Sequence, residues 1–274
     1  MPYSVSIVIP TYLRDESLKR LLNSIKDQSV KPKEVLVVDD SPDDSVKRVV
    51  KNFIGFFNVN YIWSGKRSLP AARNIGVKKS TGDIILFLDD DVVLEKDFIE
   101  KMLKGVEKYE DAVGYTGVDL TIKCQKYGLL QRIYKKFFFL WMTVDVSRYN
   151  GDIIRVNMVP CNVDKDVYLQ YLPGACMAFK REIFFKHNYW FPEQLKGYAY
   201  GEDLLFTHSL YLSGYKLVML HEARYYHLRE ENPERENPSP IQLRALYYVY
   251  RKLWGWRGVF RWYRRRLAYY LKNL

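Results

Sequence analysis

The sequence predicts an α/β fold in which a mostly parallel central sheet is flanked by helices. Short apolar runs of strand length alternate with segments whose apolar residues recur at helical spacing, a pattern typical of βαβ units. The clearest run, Ile84–Leu88, reads IILFL, follows Gly82, and leads directly into Asp89, Asp90 and Asp91. A short run that is apolar throughout predicts a strand covered on both faces, as parallel strands are.

The other elements of the first half follow the same alternation. Apolar runs predict four further strands, over Ser4–Ile9, Glu34–Val38, Asn58–Ile62 and Ala112–Val118. Helical spacing predicts helices over 17–27, 43–53, 70–79 and 95–109. The first strand is expected to stop at Pro10, with Thr11 and Tyr12 in the loop that follows. Pro70 suits the first turn of its helix.

After residue 118 the alternation breaks. Residues 126–149 are rich in aromatic and basic side chains without a strict period. The later elements are predicted as a strand or loop over 171–179, a helix over 201–213, and short strands over 216–220 and 224–226. The charged, proline-rich stretch 229–240 predicts a linker. From Ile241 a helix is predicted to the end, broken near Gly255 and Gly258.

The positive charge is concentrated near the C-terminus. The formal net charge is +11, and Ile241–Leu274 holds nine Lys or Arg and no Asp or Glu. Three widely spaced cysteines, Cys124, Cys161 and Cys176, indicate neither a disulfide framework nor a zinc site, which favours a reducing cytoplasm. No apolar run has the charge pattern of a secretion signal or the roughly 20 residues of a membrane span.

Acidic and aromatic residues follow three of the predicted strands, and ligands of parallel sheets bind at the carboxyl ends of strands. These ends hold Pro10, Thr11 and Tyr12, then Asp39–Asp40, then Asp89–Asp91. Three adjacent carboxylates repel one another and attract a hard cation such as Mg²⁺ or Mn²⁺. Alone, they could equally form a solvated acidic turn; the convergence of three strand ends favours a binding site.

Ordered motifs give the chain a resemblance to a known family. In chain order they read SIVIPTY, VLVVDDSP, ARNIG, GDIILFLDDDV, LPGACMAFKREIF, YGEDLLFTHSLYLSGYKL and YYHLRE. Over residues 4–230 this set resembles an inverting family 2 glycosyltransferase of the GT-A fold, a Rossmann-like α/β architecture. The resemblance implies a nucleotide-diphospho-sugar donor, with a UDP-sugar favoured, and a divalent cofactor, Mn²⁺ or Mg²⁺.

The resemblance also implies roles for individual residues. The donor-binding set is Pro10, Thr11, Tyr12, Arg14, Asp40, Arg73, Asp89 and Asp90. Within it, Pro10 and Tyr12 flank the base, Asp40 accepts its ring N–H, and Arg73 adds positive charge near the diphosphate. From the residues alone, Asp39 and Asp40 could also be a turn and a helix cap.

The metal ligands that the resemblance implies are Asp91, Asp89 and His227. Asp90, between the two aspartates, should point to the other side of an extended backbone. Asp203 is the expected general base for in-line attack with inversion, and Glu202 supports it. Structural roles are the alternatives. A lone histidine such as His227 is more often structural, and acidic residues such as Glu202 and Asp203 stabilise the first turn of a helix.

The basic tail lies outside the resemblance. It interleaves its nine bases with ten aromatic residues. Such a helix could lie in a membrane interface, bind nucleic acid, or pack on the body and expose only its bases. The similar composition of Tyr127–Trp141 favours a membrane surface over a soluble acceptor. We therefore predict a cytoplasmic enzyme that is peripheral on the membrane and acts on a lipid-linked or glycan acceptor.

The predicted organisation has three parts. Residues 1–120 form the nucleotide-sugar-binding half, 121–235 the acceptor-binding half of the same domain, and 236–274 the helical tail. A sugar-phosphate nucleotidyltransferase would need a Gly-rich basic loop near the N-terminus, which SIVIPTYLRDES lacks. A degenerate GT-A-like protein could bind membrane or nucleic acid through its tail, but the intact acidic motifs argue against degeneration.

Overall fold

The computed structural model describes residues 2–122, 146–149, 152–155, 163–195, 201–229, 244–245 and 247–259. The aromatic and basic segment 127–141 and the predicted linker beyond Arg229 lie outside these residues, as do Cys124 and Cys161. Cys176 is free and buried. Burial raises the pKa of its thiol to about 12.

A nine-stranded sheet forms the centre of the fold. The strands in chain order are β1 (Val5–Thr11), β2 (Glu34–Asp39), β3 (Val59–Trp63), β4 (Ile84–Leu88), β5 (Val92–Leu94), β6 (Ala112–Asp119), β7 (Val146–Tyr149), β8 (Asp152–Arg155), β9 (Val167–Leu169), β10 (Cys176–Lys180) and β11 (Lys216–His227). The helices are α1 (Asp15–Lys26), α2 (Ser45–Lys51), α3 (Leu69–Lys79), α4 (Phe98–Lys108), α5 (Glu182–Phe185) and α6 (Glu202–Leu212). β7 and β8 pair separately as a two-stranded sheet.

The sheet order is β3-β2-β1-β4-β10-β6-β11-β5, with β9 beside β11. The first four strands in this order are parallel neighbours, as are β6 and β11. β10 lies between β4 and β6 and runs antiparallel to both. The predicted α/β fold with a mostly parallel sheet is therefore confirmed.

Side chains along the central strands alternate between two hydrophobic cores, one on each face of the sheet. Ile7 and Ile9 of β1 pack in the core that includes α1, α2 and α4. Val8 packs in the second core, with α3, α5 and α6. Burial on both faces explains why Ile84–Leu88 is apolar at every position, since each of its residues is buried.

β1 continues through Pro10, so the prediction that it stops there is wrong. Pro10 pairs with Val38 of β2, whereas pairing of β1 with β4 ends at Val8 and Phe87. Because the carbonyl of Thr11 accepts a hydrogen bond from the β2 side, the nitrogen of Pro10 faces the β4 side. No ladder bond is required there, so the missing N–H of proline is tolerated.

Two further boundaries differ from the predictions. β11 is one strand over Lys216–His227, not two, with an irregular register against β6 between Met219 and Arg224. β5 (Val92–Leu94) was not predicted, because it is short and follows the aspartates directly. Both differences concern the edge of the sheet that holds the candidate site.

The C-terminal helical residues 244–245 and 247–259 pack on the body. Ala245 and Val249 are buried against Leu195, Leu204 and Leu205. Gly255 has a φ of 57°, a left-handed conformation at the place where the sequence predicts a break. Within the described part of the chain, no helix combines the length and apolar character needed to cross a bilayer.

Candidate active site

The turn between β4 and β5 carries Asp89, Asp90 and Asp91 at one edge of the sheet. The N–H of Val92 donates to the carbonyl of Asp89 at 3.2 Å, which closes the turn. The N–H of Asp89 donates to the carbonyl of Ala175, just before β10, at 3.0 Å. The turn is therefore held by backbone bonds on both sides.

Strand register brings His227 to this turn. β11 runs antiparallel to β5 and pairs His227 with Val92, the residue after Asp91. The N–H of Leu228 then donates to the carbonyl of Asp91 at 2.9 Å. As a result, Nε2 of His227 lies 3.1 Å from Oδ1 of Asp91.

Asp89, Asp91 and His227 form a possible metal centre. Each offers one ligand atom, and the three atoms lie within 4.8 Å of one another. Nε2 of His227 is buried and makes no hydrogen bond to any described residue. Two carboxylates and an imidazole are ligands that a divalent cation such as Mn²⁺ accepts. The three residues implied as metal ligands are thus together, and their chemistry fits a cation.

Asp90 is not part of this cluster. Its carboxylate accepts hydrogen bonds from Oγ1 of Thr11 at 2.8 Å and Nη1 of Arg14 at 2.9 Å. The same Arg14 nitrogen lies 3.1 Å from Asp91. Burial raises the pKa of Asp90 to about 7, and Asp91 adds to the effect, although Arg14 opposes it. Hydrogen bonds thus join Asp90 to Thr11 and Arg14 beside the cluster. Contact of these three residues with the nucleotide-sugar stays a prediction.

Arg73 lies in the interior rather than on an open diphosphate surface. Its side chain is 1% exposed, as part of α3. Nη2 donates to Oδ1 of Asp89 and to the carbonyl of Gly174, both at 3.1 Å. Nη1 forms an ion pair with Glu202, whose side chain is 3% exposed. A buried guanidinium between two carboxylates supports both, and removing it would leave buried unpaired charge.

Asp203, the expected base, is positioned at the start of α6. Gly201 precedes the helix with a φ of 86°, a conformation that glycine adopts without strain. Oδ2 of Asp203 accepts hydrogen bonds from the hydroxyl of Tyr171 at 2.6 Å and the N–H of Gly174 at 3.0 Å. Burial, with Asp203 nearby, raises the pKa of Tyr171 well above its usual value, so the phenol stays protonated and donates.

Gly174 connects the two halves of the site. Its carbonyl accepts from Arg73, which also holds Asp89, and its N–H donates to Asp203. The predicted metal ligand and the predicted base are therefore linked through Arg73 and the backbone of Gly174. Tyr171 was not predicted, and neither was this role of Gly174, because a tyrosine before a Pro-Gly pair carries no sequence signal for a carboxylate partner.

The predicted base-binding residues lie at the ends of β1 and β2. Tyr12 is 36% exposed, and the guanidinium of Arg67 lies 4.7 Å from its ring centroid. Asp40 accepts hydrogen bonds from the backbone N–H groups of Lys66, Arg67 and Ser68 at 3.1–3.2 Å and from the hydroxyl of Ser64. Asp40 thus organises the loop that carries Arg67, a role the sequence did not predict. Contact of Asp40 with a base stays a prediction.

The sequence matches the family described as Glycosyl transferase family 2 over residues 6–186. Among curated proteins, it is similar to the poly(ribitol-phosphate) beta-N-acetylglucosaminyltransferase TarS of Staphylococcus aureus (strain Mu50), with 24% identity over 251 residues. That match covers 90% of this chain and 39% of TarS. The chain therefore spans about two fifths of the length of this relative.

Solved structures show the same fold at low sequence identity. A structure of S. aureus TarS 1–349 in complex with UDP-GlcNAc aligns with a TM-score of 0.63 and 19% identity, over 90% of this chain and 65% of that one. A structure of GalNAc-T7 with UDP, GalNAc and Mn²⁺ aligns with a TM-score of 0.67 and 16% identity, over 93% and 50%. Both likenesses support the GT-A architecture.

Proposed function

Because the chain belongs to glycosyl transferase family 2, we propose that it transfers a sugar from a nucleotide-diphosphate donor to an acceptor hydroxyl, with inversion. The observation that carries the proposal is the linkage of Asp89 and Asp203 through Arg73 and Gly174. A donor-side metal ligand and an acceptor-side base must be held at a fixed separation for in-line transfer, and a buried network supplies that rigidity.

A UDP-sugar is the favoured donor. The relative TarS is named for transfer of N-acetylglucosamine, and its aligned structure is a complex with UDP-GlcNAc. In this chain, Tyr12 directly follows β1 and is partly exposed, and its ring, with the Arg67 guanidinium 4.7 Å from the centroid, offers a stacking partner for a base. Pro10 lies beside it, and Asp40 fixes the neighbouring loop.

Asp89, Asp91 and His227 would hold the divalent cation, Mn²⁺ or Mg²⁺. When bound, such a cation neutralises negative charge on the diphosphate that leaves. The protein's own contribution is to fix the ligands: Arg14 orients Asp91, Arg73 orients Asp89, and β11 sets the position of His227. The aligned GalNAc-T7 structure holds Mn²⁺, which supports a divalent cation as the cofactor.

Asp203 would accept the proton of the acceptor hydroxyl as that oxygen attacks the sugar. Tyr171 and Gly174 both donate to Oδ2, and the N–H of Leu204 donates to Oδ1 at 2.8 Å. These donors orient the carboxylate, while its partial exposure leaves it accessible to an acceptor. A general base in hydrogen-bond reach of its proton contributes about 10²–10⁴-fold in rate.

The acceptor is lipid-linked or a glycan, and the enzyme is peripheral on the cytoplasmic face of a membrane. In support, Arg244, Tyr248, Arg251 and Lys252 are exposed on the C-terminal helix at spacings that share one face. Trp256 is 75% exposed, and the Arg251 guanidinium lies 5.4 Å from its ring centroid. Bases beside an exposed tryptophan suit an anionic lipid interface.

Calorimetry with UDP tests the enzymatic proposal. We expect UDP to bind with an affinity that rises when Mn²⁺ is added, and Asp91→Asn to remove that rise. Asp203→Asn should keep UDP binding and lose sugar transfer. A protein without metal-dependent UDP affinity would be a degenerate binder, and transfer by Asp203→Asn would reject the base.

Liposome flotation tests the membrane proposal. Full-length protein should float with anionic liposomes at low salt, and Arg251→Glu should weaken flotation more than Arg48→Glu on α2. Protein that stays with the soluble fraction would contradict the membrane assignment while leaving the calorimetric result intact.

A further inference from the structure

The carboxylate of Asp119 lies beside the end of β11, close to His227. Asp119 is the last residue of β6, and in the parallel pairing of β6 with β11 it aligns with Tyr225. Its side chain is 3% exposed, and it is not one of the three residues of the possible metal centre. A buried carboxylate requires partners, and those of Asp119 indicate its role.

Oδ1 of Asp119 holds the turn that follows β6 and reaches the backbone of His227. It accepts hydrogen bonds from the N–H of Thr121 at 2.9 Å and from the hydroxyl of Thr121 at 2.6 Å. The N–H of His227 donates to the same oxygen at 3.4 Å. Oγ1 of Thr121 also lies 3.1 Å from the carbonyl oxygen of His227. Both backbone polar groups of His227 therefore face Asp119 or the threonine that Asp119 holds.

Oδ2 of Asp119 holds the chain just after His227. Nη2 of Arg229 donates to Oδ2 at 2.7 Å, and Nη1 donates to the hydroxyl of Thr121 at 3.0 Å. The backbone of Arg229 has a φ of 49°, in the left-handed region, where a residue other than glycine persists only if its surroundings hold it. The two bonds of the guanidinium contribute to that hold, so they fix the turn of the chain that follows His227.

The other side of His227 is held by the β4–β5 turn. His227 pairs with Val92, and the N–H of Leu228 donates to the carbonyl of Asp91 at 2.9 Å. The end of β11 is thus anchored on two sides, by this turn and by Asp119. Since Nε2 of His227 makes no hydrogen bond to any described residue, the two backbone anchors decide where that nitrogen can reach.

We infer that Asp119 is a positioning residue for the metal centre. Through Thr121 and Arg229 it holds the end of β11 at the place where Nε2 of His227 meets Asp91. The inference rests on the proposed function, in which His227 is a metal ligand. Partners that orient a metal ligand typically contribute about 10–100-fold to metal affinity. Loss of Asp119 therefore weakens the metal site although every ligand is still present.

Calorimetry with UDP, with and without Mn²⁺, measures this effect as the gain in UDP affinity that Mn²⁺ produces. We expect Asp119→Asn to lower the gain by about tenfold and to leave the UDP affinity without Mn²⁺ unchanged. Arg229→Ala changes a side chain that is 46% exposed, should lower the gain in the same direction, and keeps the test valid if Asp119→Asn does not fold. A normal gain in these variants, or an equal loss of UDP affinity without Mn²⁺, would overturn the inference.

A double-variant cycle with His227→Ala separates positioning from general loosening of the fold. If Asp119 acts through His227, adding Asp119→Asn to His227→Ala should lower the gain by less than about twofold further, because effects of residues that act through one another are not additive. A further loss as large as the one in the wild-type background would show that Asp119 supports the site independently of His227, and would overturn the inference.

Asp166→Asn is the matched control. The side chain of Asp166 is 10% exposed, pairs with Lys108, and also holds β11, through the N–H and Nδ1 of His221 at 3.0 and 2.8 Å. It acts on the middle of the strand, so its loss should lower stability and leave the gain intact. A loss of gain equal to that in Asp119→Asn would assign the effect to the strand as a whole and reject the positioning role.

The wild type separates this inference from the proposed function. A wild type whose UDP affinity does not rise with Mn²⁺ refutes the metal assignment of the proposed function, and the positioning role with it. A rise in the wild type that is unchanged in Asp119→Asn and in Arg229→Ala refutes the positioning role alone.

Discussion

Gly174 and Asp203 lie so close that the amide of the glycine donates to the carboxylate at 3.0 Å. A Cβ atom at position 174 would lie 3.0 Å from Oδ2 and 3.1 Å from Cβ of Asp203. The space for a side chain is therefore already filled by the predicted base. Any residue other than glycine must move that base or the backbone that connects it to Arg73.

Gly174→Ala should lower the turnover number while leaving UDP affinity in the presence of Mn²⁺ unchanged. The added methyl group displaces Asp203, whereas the ligands on the β4–β5 turn do not contact it. Steady-state kinetics with calorimetry measures both quantities. Equal losses in turnover and in UDP affinity would show that the substitution disturbs the whole site.

Tyr171→Phe should reduce turnover by about tenfold to 150-fold, because a hydrogen bond to a charged group contributes about 1.5–3 kcal/mol. The phenol donates to Oδ2 of Asp203 at 2.6 Å, and phenylalanine keeps the ring but not the donor. Tyr168→Phe, an exposed tyrosine nearby in sequence, is the control and should retain turnover. An unchanged turnover number in Tyr171→Phe would show that the hydrogen bond from Tyr171 is not needed to orient Asp203.

His227→Ala should weaken the Mn²⁺-dependent part of UDP binding by about tenfold or more, equivalent to about 1.4 kcal/mol. His221→Ala is a matched control on the same strand, because Nδ1 of that histidine donates to the carboxylate of Asp166 at 2.8 Å, outside the cluster. Calorimetry at several Mn²⁺ concentrations measures the effect. Similar losses in both variants would assign His227 a structural role.

Protonation of Asp166 should lower the stability of the fold in acid. Burial raises its pKa, but hydrogen bonds from Lys108, His221 and Tyr109 outweigh burial and lower the pKa below its usual range. A lowered pKa in the folded state means that the stabilisation is present above the unfolded value near 4 and is lost as the pH falls below it.

The thermal unfolding of Asp166→Asn tests this. At pH 7 the variant should lose about 1–3 kcal/mol of stability, the cost of weakened hydrogen bonds to a charged group. At pH 3 the gap to the wild type should shrink. Asp111→Asn, which breaks an exposed pair with Lys216, should change stability little at either pH. A gap that stays constant between pH 7 and pH 3 would contradict the assignment.

The sheet could be predicted from the sequence because the apolar runs of its strands and the residues that end them are both local signals. Buried parallel strands are apolar at every position, as Ile84–Leu88 is, and their carboxyl ends can be read from the residue that follows each run. The positions of Asp89 and Asp91 could therefore be predicted. Proximity of His227 to Asp91 depends on the register of β11 with β5, and no local pattern encodes that pairing.

The burial of charged side chains was harder to predict than the strands. Arg73 lies in the interior because Asp89 and Glu202 neutralise it there, which its sequence context did not predict, and its contribution of charge near the diphosphate stays a prediction. Asp40 was expected to face a base, and its carboxylate also holds the loop with Ser64 and Arg67. A charged residue that is buried by a partner distant in sequence looks the same in sequence as one that faces solvent.

Pro10 affects the gap that opens between β1 and β4 at the end of the sheet. β1 and β4 separate after Val8 and Phe87, and the nitrogen that would point into the gap carries no hydrogen. With any other residue at position 10, a backbone N–H would point into the gap between β1 and β4 and would need a hydrogen-bond acceptor there. Proline removes that donor and leaves only its carbonyl on the β4 side, so the backbone at position 10 does not demand an acceptor between β1 and β4.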